Sequence, residues 1–190
     1  MTLEPRHAVI QYPGGIRVRF RWSGSGQAEA VFALAETGGN LVDHGPLVST
    51  EPDQLCRAEL RVETPAGPWA VRLASAIFDD PVGVLWDTEN LFIVGYGFMV
   101  YAFEARTGVL RWHHRSGTPL VAVLASSRLR HILVQTEIET FAIEPNGEVA
   151  WRAAHSDVVI SAQLIGGRLV LGSFAGQTSA LDPATGQELG

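Results

Sequence analysis

Residues 102–108 read Ala102-Phe103-Glu104-Ala105-Arg106-Thr107-Gly108. Similar segments recur at residues 142–147 and 180–186. The glycine that ends each segment recurs at an interval of 39 residues, at positions 108, 147 and 186. A constant interval of this size indicates a repeated structural unit rather than a chance match.

Two further features recur in phase with these glycines. A tryptophan follows the first two glycines by four residues, as Trp112 and Trp151. Two apolar runs precede each segment; they are 82–86 and 91–94, 120–125 and 131–135, and 158–165 and 168–171. A period near 40 with four short strands per unit is typical of a β-propeller blade. Because a single four-stranded sheet cannot cover both of its faces, neighbouring blades must stack. The sequence therefore predicts an all-β protein with three clear propeller-type blades.

The repeated residues have structural roles in such a blade. The segment forms a tight turn between the third and fourth strands, in which the glycine adopts a positive φ. We expect the acidic residue of each turn to accept backbone N–H bonds; these residues are Glu104, Glu144 and Asp182. Trp112 and Trp151 are expected to pack between neighbouring blades, where aromatic rings bury a large apolar area.

The pattern Ala-x-acid-x-x-Thr-Gly-x-x-x-Trp resembles the tryptophan-docking repeat of quinoprotein-type (PQQ-like) β-propellers. The segment that begins at Ala102 matches best, with glutamate in place of the usual aspartate, and the segment that begins at Ala142 is one residue shorter in the turn. The third segment ends at Gly190, where its tryptophan would fall. The resemblance covers residues 78–190 and implies the fold. Such families include quinone-dependent dehydrogenases and non-catalytic scaffolds, so it leaves the cofactor open.

Residues 1–77 have a different sequence pattern, which predicts an antiparallel β portion. Apolar and polar residues alternate in 16–22 and again in 56–63, as in strands with one buried and one solvated face. Pro13-Gly14-Gly15 and residues 64–68 are predicted to be hairpin turns. We expect the polar set of the second strand to face solvent; it comprises Arg57, Glu59, Arg61 and Glu63.

Two parts of this region have less decisive patterns. Residues 27–37 fit a short helix and a strand equally well, and residues 38–52 have the composition of a loop. An alternative division of the whole chain into five short blades also fits its length, since Gly26 and Gly67 lie 82 and 41 residues before Gly108.

Composition excludes several classes of protein. The chain has 190 residues and a net charge of −6, with 14 basic residues that are all arginine. An acidic chain without a basic tail argues against nucleic acid as the main partner. The longest apolar runs, such as 120–125, are far too short for membrane insertion. One cysteine and the lack of a recognisable secretory signal favour a cytoplasmic location.

The chain lacks the sequence motifs of the common catalytic and metal sites. It has no Gly-x-Ser-x-Gly segment, no phosphate loop with a lysine and no histidines at metal-ligand spacing. Three polar clusters are predicted to be structural. We expect Asp79-Asp80 to form a turn rather than a calcium site, His113-His114 to be a solvated pair, and Glu137 and Glu139 to lie at a hairpin tip.

Three arginines alternate along one predicted strand, as Arg17, Arg19 and Arg21. An anion-binding surface is one interpretation. The favoured interpretation is a solvated strand face that discourages edge pairing.

These observations favour a non-catalytic β-propeller-type interaction or scaffold module with no cofactor. The alternative is a quinone (PQQ)-dependent oxidoreductase-like cofactor-binding protein. The expected partner is another protein, and self-association is expected if the ring is incomplete. Aromatic residues at the turns between second and third strands are the candidate contacts, namely Tyr96, Phe98 and Phe174.

Overall fold

The computed structural model describes residues 5–24, 41–45, 48 and 55–190, and these residues form an all-β structure. The strands of the N-terminal part are β1 (Arg6–Tyr12), β2 (Ile16–Ser23), β3 (Leu41–Asp43), β4 (Cys56–Glu63) and β5 (Trp69–Ser75). The next eight are β6 (Val82–Trp86), β7 (Leu91–Tyr96), β8 (Met99–Glu104), β9 (Leu110–Arg115), β10 (Leu120–Leu124), β11 (Ile132–Thr136), β12 (Glu139–Ile143) and β13 (Val149–Ala154). The last four are β14 (Val159–Ile165), β15 (Arg168–Ser173), β16 (Thr178–Leu181) and β17 (Glu188–Leu189).

The strands of the C-terminal part form three consecutive antiparallel sheets of four strands each, as the repeat predicts. They are blade 1 (β6–β9), blade 2 (β10–β13) and blade 3 (β14–β17), and within each blade the strands pair in chain order. The glycine of each repeated turn has a positive φ, with values of 73°, 92° and 73° along the chain. The predicted blades and their turns are therefore confirmed.

The N-terminal sheet has the strand order β1-β2-β4-β5-β3. Both predicted hairpins are present, since β1 pairs with β2 across Pro13–Gly15 and β4 pairs with β5. Strands β1, β2, β4 and β5 are antiparallel and adjacent in this order, so they repeat the arrangement of a blade. The described residues before β6 thus form one sheet, not the two short blades of the five-unit division.

One strand of this sheet was not expected. Residues 41–43 lie in the segment predicted to be a loop, yet they pair with β5 in parallel, and His44 N donates to Arg72 O at 2.9 Å. The composition, which is mostly that of a loop, does not predict this short strand, because an edge strand needs only the free backbone groups of β5. Residues 27–37, for which helix and strand were both considered, lie outside the described residues.

Three apolar clusters fill the spaces between adjacent sheets. The first lies between the N-terminal sheet and blade 1, the second between blades 1 and 2, and the third between blades 2 and 3. Strand β7 contributes to two of them, because Phe92 points to the N-terminal sheet and Ile93 points to blade 2. Alternate residues of a strand face opposite sides, so a strand inside the stack is apolar throughout.

The domain boundary near residue 77 stays a prediction.

A tryptophan of each sheet packs on the turn of the next sheet. Trp112 Nε1 donates to Pro145 O at 2.9 Å, and a Cβ on Gly147 would lie 2.7 Å from the Trp112 ring. The ring of Trp151 lies against Gly186 in the same way. The predicted packing of both tryptophans is confirmed.

Trp69 makes the same contact from the N-terminal sheet, although the sequence did not predict it. Its Nε1 donates to Ala105 O at 2.9 Å, and a Cβ on Gly108 would lie 2.5 Å from its ring. The repeated turn is absent before Trp69, but docking needs only the turn that follows, which blade 1 supplies. The N-terminal sheet therefore stacks on blade 1 through the contact that joins the blades.

The acidic residues of the repeated turns differ in what they bind. The Asp182 carboxylate accepts the Ala184 N–H at 2.8 Å, as predicted. The other two, Glu104 and Glu144, pair instead with the side chains of Arg111 and His131. This part of the prediction was wrong because a glutamate has one more methylene and reaches past the turn to a neighbouring strand.

The polar face of β4 is not uniformly solvated. Arg57 and Glu59 are buried, whereas Glu63 is exposed, so the expectation that this set faces water was wrong for the first half of the strand. Strand β4 is central in its sheet, and Gly45 packs so closely on Arg57 that a Cβ there would collide with the guanidinium. Glu59 is paired with Arg61 at 2.7 Å, which offsets part of the cost of burying its charge.

The arginines of β2 are also placed differently from the favoured interpretation. Arg17 and Arg19 are exposed and Arg21 is half-buried. However, β2 lies between β1 and β4, so it is not an edge strand and its arginines do not protect an edge.

We predict that Trp112→Phe destabilises the protein more than Trp151→Phe. Both changes remove part of a docked ring, but only Trp112 loses a hydrogen bond, since Trp151 Nε1 has no partner among the described residues. A net hydrogen bond contributes about 1 kcal/mol, so the free energies of unfolding should differ by about that amount. Urea unfolding of both variants measures it, and equal losses would contradict the role of the Pro145 contact.

Candidate interaction site

The turns between second and third strands lie beside the links, which are the segments that connect the last strand of one sheet to the first strand of the next. In blade 1, Phe98 O accepts the Ser116 N–H at 2.8 Å. In blade 2, Ile138 O accepts the His155 N–H at 2.8 Å, and in blade 3 Phe174 N donates to Val158 O at 2.7 Å. These bonds join turns and links into one continuous rim along the stacked blades.

This rim carries a row of exposed apolar side chains. The exposed fractions are 44% for Phe78, 48% for Ile138, 39% for Val158 and 79% for Phe174, while Phe98 is half-buried. We call these five residues the apolar rim. The opposite rim is formed by the other turns. Among the described residues there, the exposed large apolar side chains are Val42, Val109 and Ile165, which lie on three different sheets.

Aspartates hold the apolar rim in place at both of its ends. Asp79 Oδ2 accepts the Gly97 N–H at 3.1 Å, and Asp157 Oδ2 accepts the Ala175 N–H at 3.1 Å. Hydrogen bonds lower the pKa of Asp157, and the one from the Ser173 side chain has the largest effect. Burial raises the pKa of Asp79. The apolar side chains are thus presented on turns fixed to the frame of the sheets.

The structure separates the three predicted contacts. Phe174 is the most exposed of them, at the turn between β15 and β16, and Phe98 lies at the turn between β7 and β8. Tyr96 is not at the surface: it has no exposed area and belongs to the cluster between the N-terminal sheet and blade 1. It ends β7 with its side chain toward that cluster, so the structure does not place it on the apolar rim.

Sequence reasoning missed Phe78, Ile138 and Val158. Ile138 precedes its repeat glycine by nine residues and Phe98 precedes its own by ten, so the repeat places both at the same turn. That alignment was a usable signal for Ile138, but only aromatic residues were considered. Phe78 and Val158 lie in the links between sheets, where the repeat has no marker residue.

The polar clusters that were predicted to be structural lie at or near the same rim. Asp80 Oδ1 accepts the Trp22 Nε1–H at 2.8 Å and the Arg6 guanidinium at 3.0 Å in the turn before β6. Glu139 binds Arg152 at 2.8 Å at the start of β12. In the described residues, no three or more His, Cys, Asp or Glu side chains converge as metal ligands do.

The two adjacent histidines point to opposite faces, as predicted, but they are not both solvated. His113 is exposed, whereas the His114 ring lies 4.8 Å from the Phe141 ring of blade 2. Burial and the nearby Arg152 guanidinium lower the pKa of His114.

A buried polar cluster lies beneath Ile138 and ties blade 2 together. Thr140 Oγ1 bonds the Gln135 amide oxygen and lies 2.6 Å from His155 Nε2. Gln135 and Thr140 are buried, and burial lowers the pKa of His155 although Glu139 and Glu188 oppose this shift. The neutral imidazole is therefore the form that the folded protein favours.

We predict that the free energy of unfolding decreases as the pH falls from about 7 to about 5. Because burial lowers the pKa of His155 in the folded state, the unfolded chain binds a proton at higher pH, near its ordinary value of about 6.5. Chemical unfolding across this range should show a smaller decrease for His155→Gln than for the unchanged protein. The exposed His7, changed to Gln, is the control; an equal effect of both changes would contradict the assignment.

The outer face of blade 3 differs from the corresponding faces of the other blades. Ala102 and Ala142 are fully buried against the following blade, while the equivalent Ala180 is only half-buried. No further sheet covers it in the part of the chain that the structure describes.

Stacked four-stranded antiparallel blades joined by tryptophan docking define the chain as a protein of the β-propeller class. A family model described as outer membrane protein assembly factor BamB matches residues 64–190, about two thirds of the chain. The chain therefore belongs to this family of PQQ-like repeat proteins. A search of curated proteins finds no match.

Solved structures show the same fold at low identity. BamB from Moraxella catarrhalis is 14% identical with a TM-score of 0.56, and the match covers 100% of this chain and 66% of that chain. HIRA(644-1017) is 10% identical with a TM-score of 0.53, covering 100% and 53%. The computationally designed Ika8 protein is 10% identical with a TM-score of 0.54, covering 96% and 59%. The chain spans less than two thirds of each of them.

The described residues contain no helix that is long and apolar enough to cross a membrane.

Proposed function

We propose that this chain is a non-catalytic interaction module that binds another protein through the apolar rim. The observation that carries the proposal is the difference between the two rims. Four of the five apolar-rim side chains are exposed, two of them phenylalanines, whereas the exposed large apolar side chains described opposite, Val42, Val109 and Ile165, are all aliphatic and lie on three different sheets. Exposed apolar side chains grouped along one rim are typical of a protein-binding site, and aromatic anchors such as Phe174 are enriched among hot spots.

Two further features support this function. The turns are fixed by backbone hydrogen bonds and by Asp79 and Asp157, so little side-chain or loop ordering opposes association. The family is described as an outer membrane protein assembly factor, and by this likeness we propose a role in assembling other proteins. A cytoplasmic location stays a prediction.

We predict that Phe174→Ser and Ile138→Ser each weaken binding of a stoichiometric partner about tenfold or more, as the loss of a hot spot does. Val109→Ser is the matched control, since it removes a side chain of 53% exposure from the opposite rim. Tagged full-length variants are used to capture partners from host lysate, and mass spectrometry quantifies the retained protein.

Each possible result decides the proposal. Loss with the two rim variants and retention with Val109→Ser supports the apolar rim. Equal retention by all three variants, or equal loss, contradicts it. Thermal unfolding of each variant checks that the fold persists, which we expect because all three side chains are exposed.

Self-association through the outer face of blade 3 stays a second prediction. The half-buried Ala180, at a position buried in the other blades, supports it. Light scattering of the purified chain should give a mass above 20.5 kDa that returns to the monomer value with Ala180→Arg. A monomer at all concentrations would contradict it.

A further inference from the structure

A concave surface lies at the opposite rim, away from the apolar rim. It is a cavity of about 500 Å³ at the end of the N-terminal sheet. Arginines of β2 and β4, apolar side chains and the repeated turn of blade 1 all line it; the main lining residues are Arg17, Arg19, Arg61, Pro68, Trp69 and Thr107. Its volume lies in the range of about 300–1,000 Å³ that ligand pockets occupy.

The arginines of this cavity are arranged at an electrostatic cost. Arg19 and Arg61 are direct cross-strand partners on β2 and β4, and like charges in this position are destabilising. Arg61 is paired with Glu59 at 2.7 Å, and Arg17 lies 3.6 Å from Glu63. The Arg19 guanidinium makes no ion pair or side-chain hydrogen bond within the described residues, and it is exposed. A bound anion would offset this repulsion.

The spacing of the arginines fits an extended peptide. Arg17 and Arg19 are two residues apart on one strand face, which separates their Cα atoms by about 6.6–6.8 Å. Alternate side chains of an extended peptide have the same spacing, so two carboxylates of an acidic segment can each meet one guanidinium. Arginine forks bind carboxylates with two parallel hydrogen bonds, which adds both energy and geometric selection.

The rest of the cavity suits the other side chains of such a peptide. Trp69 and Pro68 add apolar surface to the lining, and Val42, another lining residue, is half exposed. A nucleic acid is the poorer fit, because a phosphate backbone needs an extended basic surface. Among the described residues only three arginines line this cavity, and two of them, Arg17 and Arg61, already lie beside a carboxylate.

We propose that this cavity binds an extended acidic segment of a partner protein, with Arg17 and Arg19 as the carboxylate-binding residues. The site is separate from the apolar rim, and its function does not depend on the one proposed there. Because the contact is between exposed charges, its affinity falls as the salt concentration rises.

The test uses the full chain and a fluorescein-labelled peptide of three Asp-Val repeats. Fluorescence anisotropy at low salt should show saturable binding, and a peptide of three Asn-Val repeats should not bind. We predict that Arg19→Gln weakens binding about tenfold, the equivalent of one charge-assisted hydrogen-bonded contact, and that Arg17→Gln has a similar effect. Arg168→Gln, which removes an exposed arginine of β15, is the matched control and should change binding less than about twofold.

Several results would overturn the proposal. They are equal weakening by Arg168→Gln, equal binding of the Asn-Val peptide, displacement of the peptide by inorganic phosphate at the peptide's own concentration, and tighter binding of an oligothymidine strand. The fold should survive Arg19→Gln, because the change removes a repulsion with Arg61. Unchanged thermal unfolding checks this.

One further variant separates this site from the apolar rim. Phe174→Ser should bind the acidic peptide as the unchanged protein does, and loss of binding in that variant would contradict two independent sites.

Discussion

The structure depends on one repeated contact, in which a tryptophan ring of one sheet lies on the glycine turn of the next. Each contact requires a glycine for two reasons: the turn has a positive φ, and a side chain there would collide with the ring. Three such contacts, by Trp69, Trp112 and Trp151, join four sheets in chain order. Because the ring seals the edge of an apolar cluster, the sheets bury faces that none of them could cover alone.

This contact also explains how much of the fold could be predicted from the sequence. The repeated turns and their 39-residue interval are local and carry marker residues, so the three blades followed from them. The role of Trp69 did not, because its glycine partner, Gly108, belongs to the next sheet and the two residues share no local pattern. Burial of Arg57 and Glu59 was likewise unpredictable, since period-two alternation reports that a strand has two faces but not what covers the second one.

The candidate sites show the same limit. An exposed aromatic residue and a core aromatic residue have identical sequence signals, so Tyr96 and Phe174 could not be distinguished before their side-chain directions were known. The two residues lie at equivalent ends of second strands, yet one faces the cluster between sheets and the other faces solvent. Which face is covered depends on the neighbouring sheet, a property of the assembly of blades rather than of the strand.

The polar face of the N-terminal sheet is buried at one end and exposed at the other. At one end, Gly45 packs over Arg57, and both Arg57 and Glu59 are buried. At the other end, Arg17 and Arg19 remain exposed beside a cavity, and Arg19 faces another arginine in register. Opposite charges facing each other across β2 and β4 would keep this face polar without repulsion, and Arg21 and Glu59 are such a pair. Within the described residues the repulsion between Arg19 and Arg61 is offset in part, by the ion pair of Arg61 with Glu59 at 2.7 Å. An anionic ligand bound beside Arg17 and Arg19 would offset more of it and would meet an exposed guanidinium ready to form two parallel hydrogen bonds.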